Sequence, residues 1–215
     1  MNVWAFPRRE ASFRFRVCPI TGAQVDLAAE RVIRANITSA FFFLAVGGFG
    51  GLLLALTRWP AVHLLPPIWF YRILTLHGFD MITAWMVFFE VGALYFAGTA
   101  LLNARMASPR VAWGAFFMMG VGALTVNGVI LAGLADVMFT AYTPLRAHPL
   151  FYLGNVLFMA GALMALALFL ATVLRATRNR PHRLSERDGS AHPAGSSGQY
   201  DPRWPAGWHC PSPDG

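Results

Sequence analysis

Few side chains in this sequence combine reactive chemistry with an apolar setting, and they cluster on one segment. His77 lies eight residues past Trp69, about 12 Å along a helix at 1.5 Å per residue, inside an apolar run. An ionisable group at that depth is costly and points to function. Two readings of His77 stand side by side: ligation of a haem or metal through an imidazole nitrogen, or a hydrogen-bonded packing histidine. For ligation, the second ring nitrogen needs a supporting acceptor, and Thr75 and nearby helix carbonyls are the candidates. Asp80 and Glu90 share the segment. At 100° per residue Asp80 lies about 60° from His77 and Glu90 about 140° away. Both are expected protonated, paired or facing a wet cavity; a proton relay is one reading, and contact with helices outside the chain is preferred. Asn127 reads as a hydrogen bond between helices. His63 and His148 fall in loops and read as surface or interface residues, and His182, His192 and His209 read as solvated.

The elements that must position these residues follow from composition. Of the 215 residues 56% are hydrophobic and 13% charged, and mean hydropathy is +0.50. A soluble domain carries about 25% charged residues, so an ordinary cytosolic fold and a disordered chain are both excluded. Cys18 and Cys210 are too far apart to suggest a disulfide framework or metal-ligand spacing. Four apolar stretches are long enough to cross a hydrocarbon layer of ~30 Å: about 37–57, 70–102, 111–135 and 150–174. Only helices or closed barrels satisfy their backbone in lipid, and runs this long without alternation are helices. The expectation is an all-α membrane protein of four transmembrane helices between a segment 1–36 and a tail 179–215.

All 17 basic residues are arginine, against 10 acids, for a net charge of +7. They flank the apolar runs, so the surplus reads as membrane topology, with no nucleic acid implied. With the N-terminus inside, fourteen arginines fall on the inner side and Arg58, Arg72 and Arg146 on the outer side, so both termini are expected to be cytoplasmic. Trp59-Pro60 and Pro66-Pro67-Ile68-Trp69 suit an outer interface, and Ser108-Pro109 reads as the start of the third helix. Gly47 and Gly51 form a G-x-x-x-G, read as packing. Residues 181–215 contain six prolines and five glycines with almost no aliphatic side chains, so disorder is expected. Trp204, Trp208 and Cys210 are odd in such a tail, which reads as not evolved to fold.

Tyr71-Arg-Ile-Leu-Thr-Leu-His77-Gly-Phe-Asp resembles the second transmembrane helix of haem–copper oxidase subunit I, where T-x-H-G presents an axial histidine of the low-spin haem. The match extends to LTRWPAVHLLPPIWFYRILTLHG ahead of it and VMFTAYTPLRAHPLFYLG at 137–154, and this last stretch is similar to the Y-x-P-L…FYLG passage that opens the fourth helix in the B-type branch of these oxidases. The resemblance covers about residues 18–178, including the Cys18-Pro-Ile-Thr-Gly22 entry segment. It implies a subunit of about twelve helices that reduces dioxygen to water with electrons from cytochrome c or quinol, and that transports protons. Residue by residue only His77 carries over, as an axial ligand of haem iron; no catalytic residue is assigned. The second axial histidine and the copper ligands belong to later helices of the family, so a copper site is not expected here.

These readings converge on the N-terminal part of a terminal oxidase subunit I, truncated by a fragmentary or shifted reading frame. Its expected partners are the remaining subunit I helices, subunit II and the bilayer, in a bacterial-type cytoplasmic membrane. The competing reading is a stand-alone four-helix membrane protein, an assembly factor or a carrier of haem or another small molecule, without oxidase activity.

Overall fold

In a computed structural model, residues 15–17, 24–102, 104–135 and 147–178 are described. The Cys18–Gly22 segment, the Y-T-P-L residues 142–145, Arg146 and the expected disordered tail lie outside them. Two three-residue strands, β1 (Phe15–Val17) and β2 (Gln24–Asp26), pair antiparallel with Phe15 opposite Asp26. Four long helices follow: α1 (Leu27–Arg58), α2 (Pro67–Leu101), α3 (Pro109–Leu131) and α4 (Pro149–Arg178), each long and apolar enough to cross a membrane. The fold is all-α and membrane-type, as the apolar runs dictate.

The helix ends differ from the limits of the apolar runs for identifiable reasons. α1 starts ten residues before the first run because Asp26 caps it, its carboxylate accepting the Ala28 N–H at 3.0 Å. Glu30 and Arg34 then pair one turn apart on the polar extension. α3 begins where expected, with Ser108 accepting the Val111 N–H and Pro109 in the first turn. It ends four residues before the apolar run does. Gly133 has φ +75°, its N–H donates to Ile130 O, and the Leu134 N–H donates to Val129 O. That paired arrangement closes the helix and requires the left-handed glycine. A Cβ at Gly133 would also fall 2.1 Å from the Arg72 guanidinium, which stacks on Trp69.

α2 is continuous but contains two π-helical turns, Asp80–Ala84 and Ala97–Leu101. Each widens the spiral and rotates the side chains beyond it, and such turns recur at functional sites. The bundle core is aromatic. Phe43 of α1 stacks on Phe88 of α2 at 5.5 Å, and Phe88 meets Phe116 of α3 and Phe158 of α4 edge to face. α3 and α4 approach until backbones touch: a Cβ on Gly122 would lie 2.6 Å from Phe158 N and one on Gly161 2.9 Å from Ala115 O. At the end of the bundle that holds the α2–α3 connection, Arg175 donates to Ala107 O at 2.9 Å and the Ala107 N–H donates to Thr172.

Candidate functional site

His77 lies on α2 one turn before the π-helical turn at Asp80. Its imidazole rests on the glycine face of α1. A Cβ on Gly51 would stand 2.8 Å from His77 Cε1 and 3.1 Å from Nδ1, and one on Gly50 would be 3.4 Å from His77 Cβ. The G-x-x-x-G read as general packing therefore has a specific occupant. The ring Nδ1 is 2.7 Å from the carbonyl oxygen of Gly47. A carbonyl can only accept, so Nδ1 carries a hydrogen and donates it. Among the described residues Nε2 makes no hydrogen bond.

Of the candidates for that support, Thr75 and helix carbonyls, the acceptor seen is a helix carbonyl. Thr75 donates to Tyr71 O of its own helix at 2.9 Å, and the acceptor that holds His77 comes from α1. The reason is steric: glycine on the facing helix lets its backbone come within reach of the ring, while a threonine at i−2 points elsewhere. The sequence marks Gly47 and Gly51 as packing residues but does not join them to His77, because the register between two helices is a tertiary property.

Asp80 and Glu90, treated alike in the sequence, part company here. Asp80 is fully buried and accepts a hydrogen bond from Asn127 Nδ2 of α3 at 2.8 Å. The preferred expectation for Asp80, contact with helices outside the chain, is thereby corrected: its partner lies within the bundle. Asn127 does tie two helices together. Glu90 faces away from the bundle beside exposed Met86 and Phe89, with no hydrogen bond or ion pair among the described residues. The two loop histidines serve helix ends. His63 Nδ1 lies 3.2 Å from Thr57 O at the end of α1, and His148 Nδ1 accepts the Leu150 N–H at the start of α4. Among the described residues no three His, Cys, Asp or Glu side chains come together as a metal cluster.

The donor set suits one axial position on a haem iron. When the ring is neutral, an Nδ1–H anchored to a carbonyl leaves the lone pair on Nε2, the tautomer that ligation requires. This site places a carbonyl-anchored histidine on the second of four long apolar helices of a multi-pass membrane protein. The family described as cytochrome c and quinol oxidase polypeptide I matches residues 31–186, and the chain belongs to that family. Among solved structures, a heme-copper terminal oxidase dimer is similar at 28% sequence identity with a TM-score of 0.67. The match covers 73% of this chain and 27% of that one, so this chain spans about a quarter of the length of its structural relative. No curated protein matches.

Proposed function

We propose that the chain supplies the first four helices of a B-type haem–copper oxidase subunit I and that His77 is an axial ligand of its low-spin haem. The hydrogen bond from His77 Nδ1 to Gly47 O carries this reading, because in the neutral ring it puts the lone pair on Nε2, and the ring cannot turn without losing its acceptor. Family membership supports it. When bound, the haem supplies one-electron transfer. The chain's own part is to hold the imidazole against Gly50 and Gly51, keep its tautomer, and surround it with apolar helix faces that exclude water.

On this proposal the remaining subunit I helices bring the second axial ligand and the copper ligands, subunit II joins them, and cytochrome c or quinol donates electrons. Dioxygen reduction and proton transport belong to that assembly. On this proposal the membrane is a bacterial-type cytoplasmic one, and the arginine distribution favours both termini inside.

The test is titration of the full chain in lipid nanodiscs with protohaem. Wild type should bind with a high-spin or mixed spectrum, since low-spin six-coordinate iron needs a second strong ligand. His77→Ala should bind at least tenfold more weakly. Equal binding by the variant, or a stable bis-histidine spectrum from the wild type, would overturn the proposal.

A further inference from the structure

The pair formed by Asp80 and Asn127 is one hydrogen short. Asn127 Nδ2 donates to Asp80 Oδ1 at 2.8 Å, while Asp80 Oδ2 and Asn127 Oδ1 are both buried with no hydrogen-bond partner among the described residues. A carboxylate oxygen and an amide oxygen can only accept, so an ionised Asp80 leaves both of them bare. Bare buried acceptors are costly, and a buried charge without a counter-charge is costlier.

The surroundings supply no other donor. Asp80 is 0% exposed. α1 faces it with Gly47, where a Cβ would stand 3.0 Å from Asp80 Cβ. The Gly47 carbonyl is itself an acceptor and already serves His77. His77, three residues back on α2, gives its Nδ1 hydrogen to that carbonyl, and among the described residues Asp80 has no ion pair. From α3 the polar group that meets Asp80 is the Asn127 amide, whose remaining oxygen is also in need of a donor.

We propose that Asp80 is a neutral carboxylic acid whose Oδ2–H donates to Asn127 Oδ1, closing a ring of two hydrogen bonds between α2 and α3. A carboxylic acid and a primary amide match edge to edge, each giving one donor and one acceptor. One proton thus satisfies both orphaned oxygens, and the closed pair carries no charge into the hydrocarbon. The proton is a structural one: with the ring closed, neither residue keeps an unengaged oxygen to pass it on, which removes Asp80 from any proton relay. The two-point tie also fixes the rotation of α2 at the π-helical turn that starts at Asp80.

Infrared spectroscopy of the full chain in lipid bilayers at neutral pH, with aspartate carboxyls labelled by carbon-13, tests this directly. The wild type should show a labelled carboxylic-acid C=O band that moves to lower frequency in heavy water. Asp80→Asn should remove that band and still fold as stably as wild type, because the new amide rebuilds the same ring without a proton. Asn127→Leu, which leaves Asp80 in place, should shift the band to higher frequency as its hydrogen bonds are lost. Loss of carboxylate bands in Asp80→Asn, in place of the acid band, would overturn the proposal. So would an unmoved band in folded Asn127→Leu. The band should persist in His77→Ala; its loss there would mean a proton shared with His77 and would equally overturn the assignment. None of these readouts involves haem, so failure of the haem reading is seen separately.

Discussion

At the scale of single residues, the role of each side chain depends on what it meets. Gly51 and Gly48 lie three positions apart on α1, but only Gly51 faces His77; a Cβ at Gly48 meets nothing within 4 Å. Gly51→Leu should therefore push the imidazole off its carbonyl and weaken protohaem binding about tenfold or more, equivalent to ~1.4 kcal/mol, whereas Gly48→Leu should bind as wild type. Titration of the two variants side by side measures this, and equal affinity would show that the glycine face does not hold the ring. Glu90 supplies the opposite kind of expectation. It is exposed on an apolar helix and unpartnered among the described residues, so Glu90→Leu should favour membrane insertion of the isolated chain. An insertion assay should register a gain on the order of 2–3 kcal/mol, the cost of placing a charged side chain well inside the hydrocarbon.

At the scale of elements, the closest contact in the bundle is the crossing of α3 and α4. A Cβ on Gly122 would run into backbone atoms of Phe158 and Gly154, which cannot move aside as a flexible side chain would. Gly122→Ala should cost roughly 1–3 kcal/mol through overpacking. Gly120, two residues away, has open space around its Cα, so Gly120→Ala should be neutral or stabilising by up to about 1 kcal/mol through helix propensity. Unfolding of the two variants in mixed detergent micelles checks the sign of each. Joining the same elements, the Arg175 and Thr172 contacts to Ala107 pin the α2–α3 connection to α4. They make that connection part of the bundle.

At the scale of the whole molecule, four apolar helices and a strong arginine asymmetry set the topology. Reporter domains fused after Leu64 should be active only outside the cytoplasm, and those fused after Met106 only inside it. The reverse pattern would overturn the orientation drawn from fourteen arginines against three. The family match and the similar oxidase structure agree with four helices in this order, and the chain spans 27% of that structure's length.

Much of this architecture was legible without coordinates, because hydrocarbon length and backbone hydrogen bonding leave few choices to an apolar run of twenty residues. The number of helices and the Ser108-Pro109 start of α3 were both written in residue order. Helix ends were legible only where a cap or breaker stood at the edge of the apolar run. α1 extends to Asp26 because capping and a Glu30–Arg34 pair support helix in polar sequence, to which hydropathy is blind. What tertiary structure alone decided is which polar groups meet. His77 and Gly47 are thirty residues apart and Asp80 and Asn127 forty-seven. The π-helical turn at Asp80 alters the angular spacing that a uniform helix predicts, and the glycine face of α1 sets how closely the ring can approach. Spacing along one helix ranks its residues by direction, but only the packing of the neighbouring helices determines that Asp80 turns inward to Asn127 while Glu90 faces out.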